Sequence, residues 1–149
     1  MASTNKPLAF CSDHAGIDVK SDLIAYAQKR GFEVRDYGTY DRKSCDYPDF
    51  AHAMAEAIEK GDHDFGIAVC GSGEGISMAL NKHQGIRAGL VWCEELGAMI
   101  RRHNNANVIV FPGRYITINE AEKTFDTFMK TEFEGGRHQI RIDKIPVKK

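Results

Sequence analysis

The sequence contains no run of about 18 or more apolar residues, so no segment is apolar enough to cross a bilayer as a helix. Its first ten residues, MASTNKPLAF, also lack the apolar core of a secretory signal peptide. These two absences predict a cytoplasmic protein that does not have a membrane as its partner.

Neither sign of charge is in excess. There are 20 Lys and Arg residues against 21 Asp and Glu residues, for a net charge of -1. Because binding to nucleic acid or to an anionic membrane draws on an excess of basic side chains, we expect neither as the main partner. Any anion site must therefore come from a local cluster of basic residues.

The four cysteines, at positions 11, 45, 70 and 93, form no CxxC pair, which argues against a zinc ribbon or a thioredoxin motif. Their even number permits disulfides. Thiols stay reduced in the cytosol, however, so we expect free cysteines.

Short apolar runs alternate with longer amphipathic ones along the 149 residues, a length that suits one domain. The pattern predicts strands at 7–11, 33–37, 65–70, 87–91 and 107–111, and helices at 17–30, 48–60, 75–82, 94–102 and 119–131, with a short helix after Gly136. The third and fifth strands are apolar throughout, as strands covered on both faces are. Alternation of strand and helix predicts a Rossmann-like three-layer α/β/α sandwich with an open, mainly parallel sheet of about five strands.

Ligands of such sheets bind outside the carboxyl ends of the strands. There the sequence places CGSGEG, residues 70–75, whose bare backbone before a helix is typical of an anion site. The motif is not a dinucleotide fingerprint, because Ile76 stands where a third glycine is required. Cys70 opens this loop, and the following helix should favour its thiolate as a base for a proton alpha to a carbonyl. The alternatives are a tight turn and a core cysteine.

Further residues are candidates for binding. Asp13 and His14 follow the first strand. Asp13 suits a hydroxyl and His14 a hydroxyl or phosphate, and the alternative is that Ser12 or Asp13 caps a helix. Arg137 and Arg141 share a helix face at a spacing of four residues, which suits a phosphate dianion or a solvated basic surface. Two more candidates are Arg114, after the fifth strand, and His103, whose imidazole can protonate a ring oxygen.

Six blocks together resemble the type B ribose-5-phosphate isomerases and the related galactose-6-phosphate isomerase subunits. They are SDHAG at 12–16, DYPDFA at 46–51, CGSGEGIS at 70–77, NKHQGIRA at 81–88, RRHNNANV at 101–108 and EGGRHQ at 134–139. The resemblance implies a single sugar-phosphate isomerase domain over residues 1–149. It also implies a cytoplasmic enzyme of the pentose phosphate pathway that uses no metal or cofactor and is at least dimeric.

The same resemblance implies roles for individual residues. Cys70 would move a proton between C1 and C2, and Ser72 would exchange protons with the enediolate oxygens. His103, helped by Asp13, would open the furanose ring. The remaining implied contacts are backbone N–H groups of Gly71, Gly73 and Gly75 to the oxyanion, Asp46, Tyr47 and Asn104 to the sugar hydroxyls, and His14, Arg114, Arg137 and Arg141 to the phosphate.

Some relatives use a glutamate just after the glycine loop in place of the cysteine. This sequence has Ile76 at that position, so the cysteine branch applies. Glu74, inside the loop, is not assigned as the base, because its charge beside an enediolate would be unfavourable unless it points outward.

The predicted topology separates two of these residues. Cys70 ends the third strand, whereas His103 precedes the fifth, so they lie at opposite edges of a parallel sheet. We therefore expect an active site shared between two chains. Alternatives that the sequence leaves open are a six-carbon substrate such as allose 6-phosphate or galactose 6-phosphate, a non-catalytic nucleotide-binding module, and a redox-sensing thiol.

Overall fold

A computed structural model describes residues 4–148, which form five strands and six helices. The strands are β1 (Leu8–Ser12), β2 (Val34–Asp36), β3 (Gly66–Cys70), β4 (Ala88–Leu90) and β5 (Val108–Pro112). The helices are α1 (Ile17–Lys29), α2 (Tyr47–Glu59), α3 (Glu74–Leu80), α4 (Glu94–Arg102), α5 (Ile118–Lys130) and α6 (Arg137–Ile142). Every predicted element is present. Within the described residues, no helix combines the length and apolarity that a membrane crossing requires.

The strands form one sheet in the order β2-β1-β3-β5-β4, and every pair is parallel. This confirms the predicted α/β class and corrects "mainly parallel" to wholly parallel. The edge strands β2 and β4 have three residues each, although the sequence pattern predicts five for each. An edge strand pairs on one side only, so fewer of its residues are held in the ladder.

The helices cover both faces of the sheet. On one face, Leu8 and Phe10 of β1 pack with residues of α1 and α5, and α4 adds partly buried apolar residues. On the other face, Ala9 and Cys11 of β1 pack with α2 and α3. Side chains alternate between the faces along a strand, so β1 contributes to both cores. The central strands β1, β3 and β5 are buried along their whole length, as predicted for β3 and β5.

A buried ion pair holds the segment after β2 against the carboxyl end of β1. The side chain of Lys20 in α1 is 1% exposed, and its Nζ lies 2.7 Å from Oδ1 of Asp36 and 2.6 Å from the carbonyl oxygen of Thr39. The N–H of Thr39 in turn donates to the carbonyl of Ser12, the last residue of β1. Lys20 therefore links a helix to the edge of the sheet at which candidate site residues follow the strands.

The Lys20 contacts predict a specific stability difference. Replacing Lys20 with methionine keeps the length of the side chain but leaves the carboxylate of Asp36 without its cation and the carbonyl of Thr39 without this donor. We expect urea unfolding, at fixed protein concentration, to show a loss of about 1–3 kcal/mol. The matched control is Arg42→Met, which removes an exposed ion pair with Asp18 on the same helix and should change stability little. Equal effects of the two substitutions would contradict the role of Lys20.

Candidate functional site

The carboxyl ends of the three central strands lie side by side. In the register of the sheet, Ser12 of β1 pairs with Val69 of β3, and Cys70 of β3 pairs with Pro112 of β5. The segments that follow these strands therefore meet at one edge, as the sequence predicted. We call this the carboxyl edge; it includes Asp13, the glycine loop at 70–75 and Arg114.

Close contacts determine the shape of the glycine loop. Gly73 has φ of +78°, and a Cβ at this position would lie 2.4 Å from Cδ1 of Leu90, so only glycine fits here. Among the described residues, none accepts a hydrogen bond from the backbone N–H of Gly71, Ser72 or Gly73. Glu74, inside the loop, is exposed to solvent. The loop thus has backbone N–H groups that are free to bind an anion at the carboxyl end of β3.

Cys70 lies at this mouth and is 4% exposed. All four cysteines are free thiols. Cys11, on the neighbouring strand β1, is fully buried, and that burial raises the pKa of its thiol well above the ordinary value, although nearby Lys20 acts in the opposite direction. Cys11 therefore remains protonated at neutral pH. Cys70 differs in its position, because it is the last residue of β3 and directly precedes the glycine loop.

Asp13 and His14 are both held by backbone groups. Oδ1 of Asp13 accepts hydrogen bonds of 3.0 Å from the N–H groups of Ala15 and Gly16 in the turn before α1, whose N-cap is Gly16. The N–H of Cys45 donates to Nδ1 of His14 at 3.3 Å. Because Nδ1 accepts, the neutral His14 ring carries its proton on Nε2 and can donate it to a ligand.

Two side chains pack on the glycine loop itself. Tyr47 is at the start of α2, and a Cβ placed on Gly75 would lie 2.4 Å from Cζ of its ring. A Cβ placed on Gly71 would lie 3.3 Å from Nη1 of Arg114. The structure therefore brings Tyr47 and Arg114 to the carboxyl edge. Asp46 is exposed at the N-cap of α2, next to Tyr47, and makes no capping hydrogen bond with its side chain.

The other predicted site residues lie at the opposite edge of the sheet, which we call the amino edge. His103 caps the end of α4, and Asn104 follows it before β5 begins at Val108. Arg137 and Arg141 lie on α6, confirming the predicted short helix. The N–H of Glu134 donates to the carbonyl of Arg102 at 3.0 Å, which ties the segment before α6 to the end of α4.

A compact cluster surrounds His103. Its ring stacks on that of His138, with centroids 4.3 Å apart and an angle of 13° between the planes. Oxygens of Glu134 lie 3.8 Å from Nε2 of each histidine. Burial, and then the charge of Arg137, lower the pKa of His138 below its ordinary value, so this ring is neutral at pH 7.

Within one chain, the residues of the carboxyl edge and those of the amino edge lie apart. Strand β5 has five residues and spans about 17 Å at roughly 3.3 Å per residue, and it separates the two edges. Cys70 lies at its far end, beside Pro112, whereas His103 lies beyond its near end. No single side chain bridges that distance.

Three residues in these clusters were not singled out from the sequence. The backbone N–H of Cys45 orients the ring of His14. Glu134 and His138 were quoted only within a motif, and they flank His103 in space.

Comparisons with known proteins agree with this geometry. The family model described as Ribose/Galactose Isomerase matches residues 8–145. The ribose-5-phosphate isomerase B of Escherichia coli K12 is 41% identical over 141 residues, which are 94% of each protein. A probable ribose-5-phosphate isomerase B of Mycoplasma genitalium is 45% identical over 136 residues, which are 90% of each.

Solved structures match the whole architecture. The crystal structure of a ribose 5-phosphate isomerase from Thermotoga maritima superposes with a TM-score of 0.93 at 44% identity, covering 95% of this chain and 98% of that one. The Mycoplasma genitalium ribose-5-phosphate isomerase B, solved with bound ribulose-5-phosphate, has a TM-score of 0.90 at 41% identity, covering 96% and 95%. With a family match over most of its length and relatives above 40% identity, this chain belongs to the ribose/galactose isomerase family.

Proposed function

We propose that this protein is an aldose-ketose isomerase that interconverts ribose 5-phosphate and ribulose 5-phosphate. The observation that carries the proposal is its likeness, at 41% identity, to an isomerase solved with bound ribulose-5-phosphate. The site supports it, because Cys70 opens onto a loop of free backbone donors. We further propose that residues 1–149 act as one sugar-phosphate isomerase domain, since one continuous sheet carries both cores.

The reaction is a hydrogen shift within the substrate. The Cys70 thiolate removes the proton from C2 of the open-chain aldose, and the electron pair forms an enediolate across C1 and C2. N–H groups of Gly71 and Gly73 donate to the oxyanion. The proton on O2 is transferred to O1, and the thiol then returns its own proton to C1, which leaves the ketose. Carbon C1 is reduced and C2 oxidised by the same pair of electrons, so the step balances.

Ser72 and His14 complete the carboxyl edge. The Ser72 hydroxyl oxygen accepts from the N–H of Glu74 at 3.2 Å, which leaves its own proton free to move between the two enediolate oxygens. His14 donates from Nε2 to the phosphate, and Arg114 adds a charged donor beside the loop. The second oxygen of Asp13 accepts from a sugar hydroxyl. Binding energy from the phosphate then positions the reacting carbons.

A second chain supplies the other half of the site in this proposal. His103 would open the furanose ring, Asn104 would contact a sugar hydroxyl, and Arg137 and Arg141 would hold the phosphate. All four lie at the amino edge, and the length of β5, about 17 Å, separates His103 and Asn104 from Cys70. A two-fold dimer that sets each amino edge against the partner's carboxyl edge creates two equivalent sites. Exposed aromatic rings after two strands, Trp92 at 56% and Tyr115 at 76%, suit such a contact surface.

The substrate assignment is tested by direct comparison of sugars. Purified protein is assayed with ribose 5-phosphate, allose 6-phosphate and galactose 6-phosphate, and binding of ATP and AMP is measured in parallel. We expect the highest kcat/KM with ribose 5-phosphate. A preference for either hexose phosphate would overturn the pentose assignment, and nucleotide binding with no isomerisation would overturn the enzyme itself.

If Cys70 is the base, a small chemical change at this residue should cause a large loss of activity. Cys70→Ser replaces sulfur by oxygen, and a serine hydroxyl is almost wholly protonated at neutral pH. We expect kcat to fall by about 10²–10⁴-fold, the usual effect of losing a general base. The matched control is Cys93→Ser, the same exchange at the N-cap of α4. A Cys70→Ser enzyme with near-normal kcat would refute the assignment.

Sharing of the site predicts complementation between two inactive variants. Cys70→Ala and His103→Asn proteins are mixed, unfolded and refolded together, then assayed with ribose 5-phosphate, which starts as a ring. Random assembly makes about half of the dimers mixed, and each mixed dimer has one site with both changes and one with neither. About a quarter of wild-type activity should therefore return.

The control for this experiment mixes Cys70→Ala with Cys70→Ser, which change the same half of the site and should recover nothing. Mass spectrometry establishes that mixed dimers have formed. If they form from Cys70→Ala and His103→Asn and activity stays absent, each site is built from one chain and the shared-site proposal is wrong.

A further inference from the structure

The segment before α6 places an unusual set of donor atoms beside the end of α4. One nitrogen of His103, one oxygen of Glu134 and one nitrogen of His138 all lie within 4.8 Å of one another. We propose that these three side chains form a binding site for a divalent transition-metal ion, such as Zn²⁺ or Co²⁺, with a fourth position open to water or substrate. The ion is not a cofactor of the isomerisation.

The donor set determines which ions fit. Two imidazoles and one carboxylate are a common ligand set for zinc with an open fourth position. Imidazole favours Zn²⁺, Co²⁺, Ni²⁺ and Cu²⁺, whereas Ca²⁺ takes six to eight oxygen ligands and Mg²⁺ requires an octahedron of oxygens. The site should therefore discriminate strongly against Mg²⁺ and Ca²⁺.

His138 gives an independent reason to expect a ligand. It is 6% exposed, and its Nε2 is buried without any hydrogen-bond partner among the described residues. A buried polar atom without a partner is unfavourable, so this nitrogen needs a ligand on the side that faces Glu134.

Another histidine cluster shows the contrast. His83 lies between His52 and Glu59, with its Nε2 2.7 Å from Nδ1 of His52 and its Nδ1 2.9 Å from the Glu59 carboxylate. Both of its nitrogens are already hydrogen-bonded. Metal binding there would break existing bonds, whereas at His138 it would satisfy an empty position.

Binding requires the stacked rings of His103 and His138 to separate, because an ion lies in the plane of each imidazole that binds it. A tetrahedral ion with bonds of about 2.0–2.1 Å holds its ligand atoms about 3.4 Å apart, whereas the donor atoms of the three residues here lie within 4.8 Å of one another. His103 can turn, since its side chain is 38% exposed. Arg137, 3.8 Å from Glu134 and 66% exposed, can move away.

A consequence for activity rests on the proposed function. His103 is the residue proposed to open the sugar ring, and an ion bound to its nitrogen prevents it from transferring a proton. Zn²⁺ should therefore inhibit isomerisation of ribose 5-phosphate, and a chelator should reverse the inhibition.

The binding site is tested by titrating the full-length, chelator-treated protein with Co²⁺ and following visible absorption. We expect one tight site per chain, with the absorption of a four- or five-coordinate ion. Glu134→Gln and His138→Gln should each weaken binding at least about 10-fold, the lower bound seen when metal sites lose a supporting group. His83→Gln is the matched control and should change nothing. Circular dichroism checks folding, and the exposed Glu134 provides a variant that leaves the core intact.

Several outcomes would overturn the site. They are unchanged Co²⁺ affinity in both Glu134→Gln and His138→Gln, loss of binding in His83→Gln, and a near-ultraviolet thiolate band at the first equivalent, which would place the ion on a cysteine. Inhibition by Zn²⁺ is measured separately in wild type and Glu134→Gln, where it should need at least about 10-fold more Zn²⁺. If Co²⁺ binds at this site but Zn²⁺ does not inhibit isomerisation, the metal site stands. The link between metal binding and ring opening is then wrong, and so is the proposed role of His103.

Discussion

The polarity of the parallel sheet governs where chemistry is possible in this protein. Because all five strands run in the same direction, every strand ends at the carboxyl edge and every crossover helix returns toward the amino edge. The central strands are buried on both faces, so their only free groups lie at these two edges. Cys70 and His103 are therefore separated by the topology of the chain, and no rotation of their side chains brings them together.

Close packing gives the carboxyl edge its shape. The glycine loop lies so near to Leu90, Tyr47 and Arg114 that side chains at positions 73, 75 and 71 would collide with them or press against them. In the same loop, the backbone N–H groups of residues 71–73 have no acceptor among the residues that the structure describes. Packing and anion binding are thus produced by one arrangement, and a single added methyl group at Gly73 would disturb both.

Buried polar groups support both edges in different ways. At the carboxyl edge, Lys20 is neutralised by Asp36 and bound to a carbonyl, so its contribution is structural. At the amino edge, the buried nitrogen of His138 has no partner among residues 4–148, while Glu134 and His103 lie nearby. A satisfied buried group holds the fold together, whereas an unsatisfied one at the surface of a cluster is available to a ligand.

Local sequence patterns were enough to predict the elements of the fold. Alternating apolar runs located five strands and six helices to within about two residues, and the glycines between Cys70 and Ile76 located the loop, because periodicity and backbone freedom are local properties. The strand order, with β5 between β3 and β4, came only from the tertiary structure, since it depends on which faces pack together. The roles of Cys45, Glu134 and His138 likewise could not be predicted from the sequence. Cys45 orients a histidine 31 positions away, and Glu134 and His138 meet His103 only because the chain folds back onto the end of α4.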